Sequence, residues 1–248
     1  MERNELGQPV GDVVRGWSAR RTPDGTPLAG RYCRLERLDA DRHAEGLFAA
    51  DQQDVRGGSW TYLPYGPFAD LAAYRDWVDG AAAGVDPLFY AVVDTDVRDD
   101  GRRGSSAVGV LSLLRVQPEA GSIEVGHVHY SPLLQRRRAA TEAQYLLMRH
   151  VFEDLAYRRY EWKCNALNET SRSAAERLGF TYEGTFRQAA VVRGRNRDTA
   201  WYSILDTEWP RVRTRLCSWL APESFDEHGR QRAGLRAHPD GPPEVADR

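Results

Sequence analysis

Lysine is almost absent from this sequence. Lys163 is the only one, and arginine carries the rest of the positive charge; a GC-rich coding sequence is the plain reading. Cysteine is scarce too. Cys33, Cys164 and Cys217 lie far apart, and an odd number excludes a complete disulfide framework. There is no CxxC and no His/Cys cluster at zinc spacing, so no metal site is expected. Three reduced thiols fit a cytosolic protein best. No apolar run approaches the ~20 residues that a membrane span needs. The opening MERNELGQPVGDVV lacks the basic-then-apolar order of a secretory signal. The expected location is therefore the cytoplasm, with no membrane partner. A net charge of -2 and a pI of about 6.3 argue against nucleic acid as the main partner, although a local basic patch stays open.

What is present suffices for a packed core. Hydrophobic residues make up 41% of 248, enough for one sizeable α/β domain or two small ones. Residues 1–30 are rich in Gly, Pro and charge and read as an arm on the surface. RYCRLERL (31–38) alternates as a strand, and Asp39 can cap a helix over about 40–52 with Leu47, Phe48 and Ala44 inward. The aromatic loop GGSWTYLPYGPF (57–68) precedes a helix over about 69–83 with Leu71, Tyr74 and Trp77/Val78 inward. LFYAVVD (88–94), AVGVLSLLRV (107–116) and IEVGHVHY (123–130) are strands, the first two joined by a polar hairpin connection at 95–106. The strongest helix covers about 140–155, its inward stripe being Ala143, Leu146, Leu147, His150, Val151 and Leu155. Then come a strand at 158–166, a helix from Asn168 to Leu178 closed by Gly179, and a strand at 180–187. A turn at 194–199, a last strand at 200–206 and a helix from Trp209 to Leu220 complete the order. Residues 221–248 read as a mobile tail. The fold class is α/β (α+β). It is a single domain over 31–220, with a central mixed, mostly antiparallel twisted sheet flanked by helices on both faces.

Three stretches carry a resemblance: IEVGHVHYSPLLQRRRAATEA (123–143), NETSRSAAERLGFTYEGTFR (168–187) and GRNRDTAWYSILDTEW (194–209). Together they resemble the GCN5-related N-acetyltransferases (GNAT), in the branch of the ribosomal-protein N-terminal acetylases. The middle stretch, Asn-x-x-Ser, a helix and Leu-Gly-Phe, is the most specific. The resemblance implies an acetyl-CoA-dependent transfer of acetyl to an amine, and a phosphate loop of the form Gln/Arg-x-x-Gly-x-Gly/Ala. Gln135 and Ala140 fit that loop, while Arg138 stands where glycine is usual. The phosphate donors would be backbone N–H groups at a helix N-terminus, so the substitution need not abolish the site.

Cofactor contacts are therefore expected from the strand end Val128, His129 and Tyr130, and from the loop Gln135, Arg136, Arg137, Arg138, Ala139, Ala140 and Thr141. The following helix would add Asn168, Ser171 and Ser173. Three arginines in a row can equally be a solvated turn. Thr141 can cap the turn or touch a phosphate, and Asn168 can be a plain N-cap. Acetyl transfer needs an acceptor base, donors for the developing oxyanion and an acid for the thiolate, whose free-thiol pKa is about 8.5. By alternation Glu124, Gly126, Val128 and Tyr130 share one face, with His127 and His129 on the other. Glu124 is the first candidate base, unless it simply pairs with an arginine. Ser171 is the candidate acid, with Tyr182 a weaker one. Trp60, Tyr62 and Tyr65 would flank the acceptor, or merely pack the loop. Arg195, Arg197 and Asp198 could bind an acidic acceptor, or form a surface ion pair and a turn. The acceptor is a protein N-terminus or a small-molecule amine. A toxin- or antibiotic-modifying acetyltransferase, a non-catalytic cofactor-binding module and an RNA-binding protein are the rival readings. A homodimer stays open, with Trp201 and Trp209 in its interface or in the core.

Overall fold

A computed structural model of the chain describes residues 2–95 and 105–235. Most of the polar connection expected at 95–106 lies outside the described residues. A small hairpin, β1 (Glu2–Arg3) with β2 (Pro9–Val10), opens the chain. Next come β3 (Leu28–Ala29), β4 (Cys33–Arg37), α1 (Ala40–Asp51), α2 (Leu71–Ala82), β5 (Leu88–Asp94), β6 (Ala107–Gln117) and β7 (Ser122–Tyr130). They are followed by α3 (Arg138–Arg149), β8 (Arg159–Asn165), α4 (Glu169–Leu178), β9 (Thr181–Val192), β10 (Arg195–Leu205) and α5 (Trp209–Leu220). One eight-stranded sheet runs β3-β4-β5-β6-β7-β8-β10-β9, antiparallel except for the parallel pair β7–β8. The expected mixed, mostly antiparallel sheet with helices on both faces is what the chain builds.

Two cores lie on opposite faces. One packs α3, α4 and α5 against the sheet through residues such as Leu111, Ile123, Leu147, Tyr160 and Leu216. The smaller one seats α1 and α2 against β5 and β6 through Leu47, Tyr74, Val78 and Phe89. The helix ends follow local chemistry. Asp39, Asp70 and Asn168 each accept a backbone N–H two or three residues into their helices, and Gly179 closes α4 at φ 105°. Leu71 is an exception to the expected stripe: as the first residue of α2 it is solvent-exposed, and Tyr74 and Val78 make the contact.

Two other expectations change. The turn predicted at 194–199 is mostly strand. β9 and β10 are joined by Arg193-Gly194 alone, both at positive φ (50° and 71°), as a two-residue hairpin turn requires. Residues 222–235, expected to be part of a mobile tail, pack instead: Phe225 and Leu235 are buried in the larger core. The arm lies on the surface as expected, except that Leu28–Ala29 joins the sheet. Trp17 covers Gly121, donates its indole N–H to the Glu119 carbonyl (2.9 Å) and carries Arg20 on its face.

Candidate active site

The parallel pair positions the site. β7 pairs with β8 only from Ser122 to Val125, opposite Arg159 to Trp162. Beyond that point β7 stays with β6 and β8 stays with β10, so the two strands part. The wedge between them opens beside Gly126–Tyr130 on one side and Lys163–Asn165 on the other. Backbone groups that would have joined the strands are left facing the gap.

β7 leads through a short loop into α3. Ser131 is buried, donates its hydroxyl to the Val108 carbonyl (2.6 Å) and accepts at its carbonyl from Leu134 and Gln135 N–H. Gln135 donates its amide to the Tyr130 carbonyl (2.7 Å). Arg136 sits at φ 62°, and Arg137 is the α3 N-cap without a side-chain cap, so no side chain closes the helix start, where Ala140 N–H bonds the Arg137 carbonyl (3.2 Å). Gln135, Arg136 and Arg137 are exposed, while Ala139 and Ala140 are buried under the helix. Arg138, the residue in the glycine position, is the first residue of α3 and has ordinary helical backbone. Its guanidinium lies over the Tyr32 ring (4.3 Å) and the Phe225 ring (5.1 Å), so it is turned away as a packing group, not offered as mobile charge. Thr141 is buried, and its hydroxyl oxygen accepts from both terminal nitrogens of Arg177 on α4 (3.3 Å each) instead of capping the turn.

At the far lip stands α4. Asn168 spends its side-chain oxygen on the Ser171 N–H (3.1 Å). Ser171 Oγ accepts from the Trp162 indole N–H (3.0 Å), and Cys164 lies beside it, its thiol pushed up by burial against the opposing pull of Ser171 and Arg172. An indole N–H can only donate, so the Ser171 hydroxyl proton is left for its hydrogen bond to Cys164, which works against the rise of that thiol. Ser173 points to solvent.

The expected alternation along β7 fails at one residue. His127 takes φ 50°, and the register against β6 slips between Ser112–Gly126 and Val110–His129. This bulge flips every later side chain. Val128 and Tyr130 turn toward the α3 core, where the Tyr130 hydroxyl accepts from Gln144 (2.8 Å). Glu124 instead shares its face with His127 and His129. His127 stacks on Tyr65, lies tilted against Phe89 and bonds the Tyr65 hydroxyl through Nδ1 (3.0 Å); burial, then Arg115 and Arg197, hold its pKa down. His129 stacks on Trp60 at 3.6 Å and meets Ser59 Oγ through Nε2 (2.9 Å); burial depresses it to about 4. Asp51, 3.7 Å from His129 Nδ1, is pushed up to about 7 by burial.

Glu124 is only 3% exposed and bridges Arg115 (2.6 Å) and Lys163 (2.9 Å). Lys163 also reaches Glu161 (2.7 Å) and lies 3.7 Å from the centre of the Trp201 ring. The aromatic loop closes over this face. Trp60 is buried as packing, Tyr62 donates its hydroxyl to the Leu167 carbonyl (3.1 Å), and Arg193 at the β9–β10 tip donates to the Gly66 carbonyl. Residues 60–66 thus span from α1 to the β8–α4 connection and to the hairpin. Lys163 and Trp201 drew notice in the sequence only for lysine scarcity and for packing, not as part of this face, and the role of the hairpin tip was not anticipated.

A parallel pair that splays beside an uncapped helix start is the frame of a cofactor-dependent acyl-transfer fold. Residues 33–181 match the family model described as Acetyltransferase (GNAT) domain. A GCN5-related N-acetyltransferase structure from Brucella melitensis is 46% identical with a TM-score of 0.84, covering 90% of this chain and 98% of that one. Another, from Chromobacterium violaceum ATCC 12472, described as a probable acetyltransferase of the GNAT family, is 40% identical with a TM-score of 0.72, over 82% and 98%. The Bacillus subtilis (strain 168) protein named "Putative ribosomal N-acetyltransferase YdaF" is 31% identical over 71% of this chain and 90% of its own length. The chain belongs to the GNAT acetyltransferase family and is an acyltransferase.

Proposed function

We propose that the chain moves an acetyl group from acetyl-CoA to a primary amine, a protein N-terminus in the first instance, within a ternary complex. The observation that carries this is the splayed β7–β8 pair ending at the open first turn of α3. The residues present fit the cofactor: the β7 edge that parts from β8 for an extended arm, a helix start with no side-chain cap for phosphates, and Arg136 and Arg137 exposed beside it. Arg138 leaves that fit intact, because its backbone is helical and its side chain is stacked aside. When bound, acetyl-CoA supplies a thioester activated toward amines. The backbone of Val128–Tyr130 would orient and polarise its carbonyl. Ser171 holds a proton at Oγ that can be delivered to a leaving sulfur. Glu124 faces away from α3 and pairs with Arg115 and Lys163, the arginine pairing that the sequence left open; we assign it the amine's proton, taken through water. The name of the Bacillus subtilis relative, a putative ribosomal N-acetyltransferase, supports an amine of a ribosomal component as acceptor.

Calorimetry with acetyl-CoA tests the donor side. Micromolar binding is expected, weakened in Arg136→Ala/Arg137→Ala; absence of binding in the wild-type chain would overturn the reading. Thiol release with a panel of N-terminal peptides and small amines tests the acceptor side. Glu124→Gln is expected to lower kcat by about 10²–10⁴-fold with little change in acetyl-CoA affinity.

A further inference from the structure

We propose that Arg197 is the specificity determinant of the acceptor site, and that it selects amines carrying a carboxylate close to the reacting nitrogen. This rests on reading the roofed face as the acceptor side of acetyl transfer.

Strand geometry places the residue. On β10, Ala200, Tyr202 and Ile204 face the α4 core, so Thr199, Trp201 and Ser203 line the other face; the register shift between Arg197 and Thr199 puts its extra residues on β9, so the alternation of β10 carries Arg197 to that face too. That is the face of Lys163, Glu124 and His127. Thr199 pairs with Asn165 at the end of β8, and Ala166 N–H donates to the Asp198 carbonyl (2.9 Å), so Arg197 sits just beyond the splayed end of β8. Its charge helps to hold the His127 pKa down on the same face.

Charge on this face is otherwise balanced. Arg115 and Lys163 hold Glu124, Lys163 and Arg159 hold Glu161, and Arg159 holds Glu183 (2.5 Å). Those three cations answer three carboxylates, and Arg197 is the surplus: it has no ion pair among the described residues. Its Nε is buried without a hydrogen-bond partner, and so is the indole nitrogen of Trp201 four residues along the same strip. Both atoms can only donate. Buried donors are ordinarily satisfied, so a face that leaves two of them open lacks acceptors, and beside a guanidinium the matching acceptor is anionic and planar. Nearby His127 does not fill that role. Burial and the charges of Arg115 and Arg197 hold its pKa down, and its Nδ1 is already engaged with Tyr65.

The test uses the full chain saturated with CoA, titrated calorimetrically with free-amine tetrapeptides that differ only as Asp against Asn at each of the first three positions. In the wild type one Asp peptide should bind at least ten times tighter than its Asn partner. Arg197→Ala should reduce that ratio to less than two while leaving the Asn peptide and acetyl-CoA affinities unchanged, and Arg197→Lys should restore part of it. Equal binding of every pair in the wild type, or equal weakening of both members in Arg197→Ala, would overturn the proposal. So would a loss of acetyl-CoA affinity, which would put Arg197 on the donor side. Failure of the acetyl-transfer reading looks different: no acetyl-CoA binding and no thiol release with any amine. The peptide titrations, repeated without CoA, would still report the Arg197 preference.

Discussion

His127 decides the geometry of the site on its own. Its left-handed backbone adds one residue to β7 and exchanges the faces of everything that follows. Alternation from Glu124 onward is sound for a regular strand, so the residue types in EVGHVHY were legible while their directions were not. Bulges commonly use glycine at positive φ. Here glycine is next door and histidine takes the strained place, held by Tyr65 and Phe89. One step along, His129 and Asp51 form a buried pair with opposed titrations. His129, depressed to about 4, contributes stability that is present above its unfolded value near 6.5 and is lost as pH falls through 4. Asp51, raised to about 7, contributes stability present below its unfolded value near 3.8 and lost as pH rises through 7. Between pH 4 and 6.5 the two slopes oppose. Thermal melts across that range should therefore show Asp51→Asn gaining stability as pH rises and His129→Gln losing it. Parallel curves for the two variants would contradict the assignment.

Elements were more legible than directions. Helices announced themselves through caps and stripes, and α5 runs over Trp209–Leu220 as its pattern implies. The β9–β10 ribbon was harder to see. Arg193-Gly194 is a tight turn hidden in a run of arginines, and RNRDT carries too much charge to look like strand. Also invisible was how α3 is tied to the first long strand. Glu142 is buried and accepts three backbone N–H groups, from Arg31 (2.8 Å), Tyr32 (2.6 Å) and Cys33 (2.8 Å). No local pattern pairs residues 110 apart in sequence. Hydrogen bonds to charged groups are worth about 1.5–3 kcal/mol each. Glu142→Gln must turn an amide donor toward at least one of these donors, and should lower unfolding free energy in urea by about 3 kcal/mol. A change below about 0.5 kcal/mol would show that the cluster adds little.

For the molecule as a whole, described segments on either side of 31–220 touch the domain at individual anchors. Trp17 clasps the β6–β7 turn, and Phe225 closes over Tyr32 and Arg138. Composition concealed this, because the segment after 221 is polar apart from a few anchors. Phe225→Ala should lower the melting temperature, since truncating a buried phenylalanine costs about 3–5 kcal/mol. It should also release Arg138 beside the start of α3, which calorimetry would register as a changed acetyl-CoA affinity. The scarcity of lysine gains its meaning at this scale as well. The one ammonium, Lys163, is clamped between two carboxylates and a tryptophan ring and is almost fully covered. On the proposed acetyl-CoA-dependent reaction, the folded chain thus exposes no lysine amine of its own to stray acylation. Amine-directed dyes and crosslinkers would leave the folded chain's lysine unlabelled.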